Sequence, residues 1–174
     1  MRSGPGWHMP RARVVRVHCG GQAGVDRAAV DFAAEFDVPY GGWVPRGGAA
    51  EDLVTSPGLL ELYPGFEASD SDDPSVRTRL NVRDADATLI LVVGHTLHSS
   101  GTELTRDVAG ELRRPLALVD LSQVDRSSIV HALLARCTGE ITLNIAGPRE
   151  SECPGVYDAA RRFLREMAPV LLGS

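Results

Sequence analysis

The sequence predicts an α/β domain in which a doubly wound, mainly parallel sheet is flanked by helices, a Rossmann-like arrangement. Three observations support this prediction. Short apolar runs alternate with amphipathic stretches along the chain, as strands alternate with helices in such domains. The run 87–93 is almost entirely apolar, which is typical of a central strand covered on both faces. Three of the runs end in loops, at 19–24, 94–101 and 147–155, that lead directly into a helical pattern.

The individual elements follow from the local pattern. Strands are predicted at 13–18, 38–40, 87–93, 116–119 and 141–146, and helices at 25–36, 75–84, 102–113, between Asp125 and Gly139, and from 156 onward. Each helix has apolar residues three or four positions apart, which would form one buried face. Pro115 is expected to stop the third helix. Asp125 is expected to cap the start of the fourth helix, and Gly139 is expected to end it.

Two stretches lack a regular pattern. Residues 41–48 are rich in Gly and Pro and are predicted to be irregular. Residues 49–74 contain a short helix or strand at 59–63 and otherwise turn-rich, acidic sequence. A connection of this length inside a compact domain is usually functional, so a lid or rim is predicted here. Residues 1–12 are predicted to be a flexible tail, and 13–174 a single domain.

The composition excludes several classes of site. All 18 basic residues are Arg, which excludes a P-loop lysine, a Schiff-base lysine and a lysine general base. Arg is therefore the strong, permanently charged phosphate ligand that remains. The formal charge of −5 indicates neither a nucleic-acid nor a membrane partner. The three Cys residues lack the spacing of a zinc site or a disulfide scaffold, and no secretory signal or membrane-spanning run is present, so a cytoplasmic location is expected.

The first loop, Gly20-Gly21-Gln22-Ala23-Gly24, is the first candidate binding element. In doubly wound sheets, ligands bind beyond the carboxyl ends of the strands. Glycines let the backbone approach a ligand closely, and the start of the following helix favours a phosphate. The glycine spacing differs from the dinucleotide fingerprint, and no ribose-binding carboxylate ends the second strand, so a nicotinamide cofactor is not expected. The alternative is a tight strand-to-helix turn that binds nothing.

The second and third loops offer further groups for an anion. Residues 99–102 place hydroxyls and backbone donors at another helix start, although Ser and Thr are also common helix caps. His95 and His98 are three apart with no third ligand at a suitable spacing, so no metal site is predicted. Arg149 follows a strand directly, where it can bind a phosphate or form an ion pair with a neighbouring Glu.

These observations define two sets of candidate residues. The candidate phosphate- and ligand-binding residues are Gly20, Gly21, Gln22, Gly24, Arg27, Trp43, Arg46, Arg77, Ser99, Ser100, Gly101, Thr102, Gly147, Pro148 and Arg149. The candidate acids or bases, should the protein be an enzyme, are Asp26, Glu51, Asp52 and Glu103. Asp26 could equally interact with the helix dipole, and Trp43 could either stack on a ligand ring or pack within its loop.

In combination, five stretches resemble the motifs of the circularly permuted branch of the SLOG superfamily. The stretches are 20–29, 42–52, 77–90, 100–105 and 143–151. This branch has a lysine-decarboxylase-like Rossmann fold, and its members are also described as putative molybdenum carrier proteins. The resemblance covers about residues 14–168. It implies a pocket for a phosphate-containing small molecule, with a nucleotide or the molybdenum cofactor as candidate cofactors, and a homo-oligomer.

The resemblance also bears on catalysis. Some SLOG relatives, the cytokinin-activating phosphoribohydrolases, cleave nucleoside monophosphates with the Glu of a Gly-Gly-x-Gly-Thr-x-x-Glu motif. Here Thr105 stands in the place of that Glu, and Glu103 would point elsewhere on the helix. Three functions are therefore weighed: a binding protein for a nucleotide-like or pterin phosphate ligand, such as a molybdenum cofactor carrier; a phosphoribohydrolase-like hydrolase acting on a nucleotide or nucleotide-sugar; and a scaffold with a vestigial pocket.

Overall fold

The computed structural model describes residues 12–96 and 98–173, with the backbone alone at His95. The predicted flexible tail lies outside the described residues except for Ala12, which is buried. In the part of the chain that is described, no helix is long and apolar enough to cross a membrane.

Six parallel strands form one sheet within the described residues. They are β1 (Arg13–His18), β2 (Tyr40–Val44), β3 (Phe66–Ala68), β4 (Ala87–Val92), β5 (Leu116–Asp120) and β6 (Glu140–Ala146). Their order across the sheet is β3-β2-β1-β6-β4-β5, and every pair of neighbours is parallel. β1, β6 and β4 are consequently adjacent at the centre, and their carboxyl ends lie side by side.

Helices cover both faces of this sheet, which confirms the doubly wound prediction. They are α1 (Val25–Glu35), α2 (Leu59–Leu62), α3 (Pro74–Arg83), α4 (Ser100–Glu111), α5 (Ser127–Leu134) and α6 (Val156–Leu172). α6 packs against α1 and α5 on one face, and α3 packs against α4 on the other. All six residues of β4 are buried, because a central parallel strand is covered on both faces.

The predicted bounds of the second strand are wrong, because β2 shares only Tyr40 with the prediction of 38–40. It runs from there through the glycines that were expected to be irregular. Gly42 has φ +126, and a Cβ at this position would lie 2.3 Å from the carbonyl oxygen of Cys19. Glycine is therefore what allows β2 to lie close to the end of β1. The stretch predicted as a lid or rim contains a helix at 59–62 and the edge strand β3, which escaped prediction because it is only three residues long.

The predicted boundaries of α5 are wrong at both ends. The helix begins at Ser127 with Arg126 in the cap position, and no side chain caps it. It ends at Leu134. Gly139 has φ +72 and lies in the turn before β6, where its carbonyl accepts a hydrogen bond from the backbone N–H of Arg13. A glycine that enters a strand cannot be distinguished by sequence from one that ends a helix.

Candidate functional site

One cleft lies beyond the carboxyl ends of β1, β6 and β4, where the three loops meet. Its volume is about 390 Å³, within the range of small-ligand pockets. The predicted binding residues that line it are Gly20, Gln22, Arg77, Ser99, Ser100, Gly101, Thr102, Gly147, Pro148 and Arg149. Those outside its lining are Gly21, Gly24, Arg27, Trp43 and Arg46. The loops converge because their strands are parallel neighbours in the sheet.

A buried carboxylate, that of Asp26, lies at the bottom of the cleft in the first turn of α1. The residue is only 4% exposed. Its Oδ2 accepts the backbone N–H of Gln22 at 3.2 Å and lies 3.5 Å from Nη1 of Arg77. Burial raises the pKa of Asp26, and this effect outweighs the lowering by the Arg77 charge and the backbone donors. The cleft therefore contains an acid that holds its proton to higher pH than an exposed Asp.

Arg77 of α3 crosses over the first glycine of the loop. A Cβ at Gly20 would lie 1.5 Å from Nη1 of Arg77, so the absence of a side chain at position 20 makes room for the guanidinium. Among the described residues, the 3.5 Å approach to Asp26 is the only polar contact of this side chain, and its buried Nε has no partner. Arg77 therefore keeps donors that a ligand in the cleft could use.

The start of α4 forms another side of the cleft. Ser99 caps this helix, and its Oγ accepts the backbone N–H of Thr102 at 3.3 Å. Thr105, one turn further, is buried in the cleft lining and donates its hydroxyl to the carbonyl of Gly101 at 2.8 Å. The Thr105 hydroxyl therefore already has an intrahelical partner. Backbone N–H groups at a helix N-terminus favour an anion.

Arg149 contributes the second guanidinium of the cleft. Its side chain is 47% exposed, and Nη2 lies 3.7 Å from a carboxylate oxygen of Glu152. The same carboxylate accepts the backbone N–H of Arg149 at 3.0 Å. An exposed ion pair of this length is weak, so the Arg149 guanidinium can reorient toward an anion at little cost.

Two buried amides in the lining were not identified from the sequence. Asn144 of β6 donates to the hydroxyl of Thr88 in β4 at 3.3 Å. Asn81 of α3 accepts the backbone N–H of Trp43 and donates to its carbonyl, which fixes α3 against β2. For Asn144 the sequence contained a signal, namely a polar amide inside the mostly apolar run 141–146. Such a residue must find hydrogen-bond partners when it is buried.

The predicted binding glycines outside the lining serve loop packing. Gly21 has φ +72, and a Cβ there would lie 2.8 Å from the Leu59 side chain. Gly24 has φ +85, and its Cβ would lie 2.6 Å from the carbonyl oxygen of Pro148. The first and third loops can therefore approach each other only because position 24 has no side chain.

The other predicted binding residues outside the lining have partners elsewhere. Nε1 of Trp43 donates to Asp84 at 2.8 Å, so its ring does not face the cleft. Arg46 donates to the backbone carbonyl of Asp70. Arg27 faces a second pocket on the opposite side of the first loop, as described next.

This second pocket has a volume of about 740 Å³ and contains two of the candidate acids. Arg27 donates to the carboxylate of Asp52 at 2.9 and 3.3 Å. Glu51 accepts hydrogen bonds from Ser151 of the third loop. Asp52 is thus engaged by α1, and Glu51 is engaged by the third loop. Within the described residues, no group of three His, Cys, Asp or Glu side chains could hold a metal ion.

Of the four candidate acids, Asp26 alone lines the cleft. Glu103 is exposed on α4, and its carboxylate lies 3.8 Å from Nδ1 of His98, outside the lining. Any acid–base chemistry in this cleft would therefore involve Asp26, or Glu152 beside Arg149.

Comparisons with known proteins agree with this geometry. The model of the circularly permutated YpsA SLOG family matches residues 17–168. The crystal structure of a putative molybdenum carrier protein from Syntrophus aciditrophicus is 34% identical in sequence, with a TM-score of 0.76. That match covers 89% of this chain and 95% of the other. The comparison with curated proteins gave no match.

Proposed function

The chain belongs to the circularly permutated YpsA SLOG family, and from this premise we propose that its central cleft binds a phosphorylated small molecule of nucleotide or pterin type. The convergence of hydrogen-bond donors carries the proposal. Arg77, Arg149 and the N-terminus of α4 reach one cleft from three different elements. Donors that converge on an enclosed space are the feature that holds an anionic ligand in one orientation.

The chemistry of the lining suits an oxyanion better than a bare metal ion. The polar groups of the lining are hydroxyls, amides, backbone N–H groups, guanidinium groups and the carboxyls of Asp26 and Glu152, and none of the described lining residues is a Cys or His. Thiolates and imidazoles are the side chains that usually ligate transition metals. Molybdenum would therefore enter this cleft as part of a pterin phosphate or as an oxyanion. The name of the Syntrophus protein supports including the molybdenum cofactor among the candidate ligands.

The two ends of the cleft would bind different parts of the ligand. A phosphate fits the start of α4, where Arg149 can bend over it. The other end contains the Asp26 carboxyl, which would repel a phosphate when ionised and can accept a hydrogen bond from a ligand hydroxyl or amine. Arg77 stands beside Asp26 and would supply its unused donors to the ligand.

Calorimetric titration with AMP, inorganic phosphate and molybdate tests the proposal. Arg77→Met and Arg149→Met should each weaken binding of AMP about 10- to 100-fold, because a charge-assisted hydrogen bond contributes about 1.5–3 kcal/mol. Arg79→Met is the matched control, since Arg79 lies on the same helix but pairs with Glu111 outside the cleft. Mass spectrometry and a molybdenum assay on native protein would identify a ligand that co-purifies.

Two outcomes would contradict the proposal. If wild-type protein binds none of the probes and carries no co-purifying ligand, the cleft is not a binding site of this type. If Arg149→Met and Arg77→Met leave every affinity unchanged, the scaffold alternative with a vestigial pocket is favoured. As part of the proposal, we expect the protein to form a homo-oligomer in the cytoplasm. Light scattering of the purified protein tests its oligomeric state.

A second candidate function, hydrolysis of a nucleotide or nucleotide-sugar, rests on Asp26. A buried carboxyl with a raised pKa inside a ligand-sized cleft is suited to general acid catalysis. AMP turnover by wild-type protein that is lost in Asp26→Asn, with AMP binding retained, would favour hydrolysis. Saturable binding without turnover would favour the binding protein.

A further inference from the structure

A segment outside the cleft joins two of its walls. We call residues 49–52 the clasp. The side-chain amide of Gln22, in the first loop, pairs with the clasp backbone through two bonds. Its Nε2 donates to the carbonyl of Ala49 at 2.8 Å, and its Oε1 accepts the N–H of Glu51 at 3.3 Å. The first loop is thereby attached to the clasp by a residue that also lines the cleft.

The carboxylate of Glu51 extends the connection to the third loop. One oxygen accepts the hydroxyl of Ser151 at 2.5 Å, and the other accepts the backbone N–H of Ser151 at 3.2 Å. The two residues are 100 positions apart in the chain, so this contact exists only in the folded protein. Both bonds have an ionised acceptor, which makes them stronger than hydrogen bonds between neutral groups.

Ser151 lies within the turn that presents Arg149 to the cleft. The turn is closed by the N–H groups of Glu152 and Cys153, which both donate to the carbonyl of Arg149, at 3.1 and 3.0 Å. Holding Ser151 therefore holds the turn. At its other end, the third loop contacts the start of α1, where the N–H of Val25 donates to the carbonyl of Pro148 at 3.3 Å.

We infer that Glu51 is a positioning residue for the cleft, which fixes the Arg149 turn to the first glycine loop through Ser151 and Gln22. Glu51 does not line the cleft. Its carboxylate is exposed, so the contact contributes little to global stability but restricts the local motion of the turn. Its consequence for ligand affinity rests on the proposed function, whereas its consequence for loop order does not.

Hydrogen exchange measured by mass spectrometry on the full chain tests this role without a ligand. In Glu51→Ala, exchange of the amides in 147–153 should accelerate about tenfold, while the amides of β4 and α6 exchange as in the wild type. Glu35→Ala is the matched control, because Glu35 also accepts from two partners, Arg161 at 3.1 Å and Arg165 at 2.8 Å, but joins α1 to α6. It should leave 147–153 unchanged.

A double-mutant cycle separates positioning from a general structural effect. Ser151→Ala should accelerate exchange of the turn in the wild-type background. In the Glu51→Ala background it should cause no further acceleration. Ser151→Thr keeps the hydroxyl and the backbone donor, so it should retain wild-type exchange. Where AMP binds, Glu51→Ala should weaken its affinity about tenfold, and Glu35→Ala should not change it.

The possible results are distinguishable. Unchanged exchange of 147–153 in Glu51→Ala would overturn the inference, as would equal acceleration in Glu35→Ala. Absence of binding by the wild type would refute the proposed function, while the exchange experiment would still decide the role of Glu51. Faster exchange of the turn with AMP affinity unchanged would show that Glu51 orders the loop without positioning the cleft, and would overturn the inference as well.

Discussion

The first glycine loop separates two cavities, and its two sides differ in how far their arginines are engaged. On the outer side, the terminal nitrogens of Arg27 donate to Asp52 and to the carbonyl of Gly21, and the guanidinium lies 4.8 Å from the centre of the Tyr63 ring. On the cleft side, Arg77 has one 3.5 Å contact with Asp26 among the described residues. The buried Nε of each arginine has no partner among the described residues, so the terminal nitrogens make the difference. Those of Arg27 are engaged within the fold, whereas those of Arg77 keep donors that a ligand could use.

The glycines of the loop differ in the same way. Gly20, on the cleft side, faces the guanidinium of Arg77 and Oδ2 of Asp26, so a Cβ there would displace the guanidinium. Gly24, on the outer side, faces the backbone of the third loop. A glycine-rich loop at a strand end can thus serve more than one purpose, because one of its glycines makes room for a side chain of the cleft and another for a neighbouring loop.

Gly24→Ala should have the largest effect on stability of the changes considered for this loop. The substitution places a Cβ at φ +85 and 2.6 Å from the carbonyl oxygen of Pro148, so it adds backbone strain to a clash with backbone. Together these should lower the free energy of unfolding by about 3 kcal/mol or more. Urea denaturation followed by circular dichroism measures the loss.

Gly101→Ala is the control for that substitution. Gly101 lies in the first turn of α4, and a Cβ there would meet no atom of the described residues within 4 Å. Because alanine is a better helix former, the free energy of unfolding should stay the same or rise by up to about 1 kcal/mol. Equal destabilisation by both substitutions would contradict the close approach of the third loop to position 24 as the cause of the loss.

The pH dependence of stability should reveal the raised pKa of Asp26, on the cleft side of the loop. Burial raises the pKa of Asp26 in the folded protein above its unfolded value, near 3.8. The folded state then binds the proton more tightly, so the contribution of Asp26 to stability is complete below about pH 4 and falls as pH rises through the folded pKa. Relative to Asp26→Asn, the wild type should lose at most about 1.4 kcal/mol per pH unit in that window.

Urea denaturation of both proteins from pH 4 to 8 measures this difference. Asp84 and Asp120 have lowered pKa values and produce the opposite slope, but they are present in both proteins and cancel. The raised pKa of Asp26 would be contradicted if the free energy of unfolding of the wild type, relative to that of Asp26→Asn, stayed constant or increased with pH. Because the Arg77 charge lowers the pKa of Asp26, Arg77→Met should raise this pKa further and extend the loss of stability to higher pH.

Much of the framework was predictable from local patterns, for physical reasons. The limits of β1 and the buried β4 follow from apolar runs, and the start of α1 at Val25 follows from helical spacing. The extension of β2 through Gly42 was not predictable, because the glycine is required by a close approach of another strand. Tertiary contacts of this kind leave no periodic signal in the sequence.

The candidate site was likewise predictable only in part. That three loops meet was predictable, since parallel neighbours end at one edge. Which side of the first loop each residue faces was not: Asp26 and Arg27 are adjacent in sequence, yet one lines the cleft and the other the second pocket. Glu51 contacts Ser151, which is 100 positions away in the chain, and local sequence patterns do not reveal such a contact. The residue type was therefore the only guide, and it suggested an acid–base role.

The smallest expected effect is that of Asp52→Asn, on the outer side. Asp52 is next to Glu51 in the clasp, but its carboxylate is 40% exposed and, among the residues that the structure describes, pairs with Arg27 alone. Such a pair contributes about 0.5 kcal/mol or less, so unfolding by urea should change little and AMP affinity should stay within about twofold of the wild type. If Asp52→Asn instead weakened AMP binding as strongly as Arg77→Met, the outer side would be part of the binding site. A null result beside a clear effect of Glu51→Ala would show that the clasp acts on the cleft through its contact with the third loop, and not through its charge.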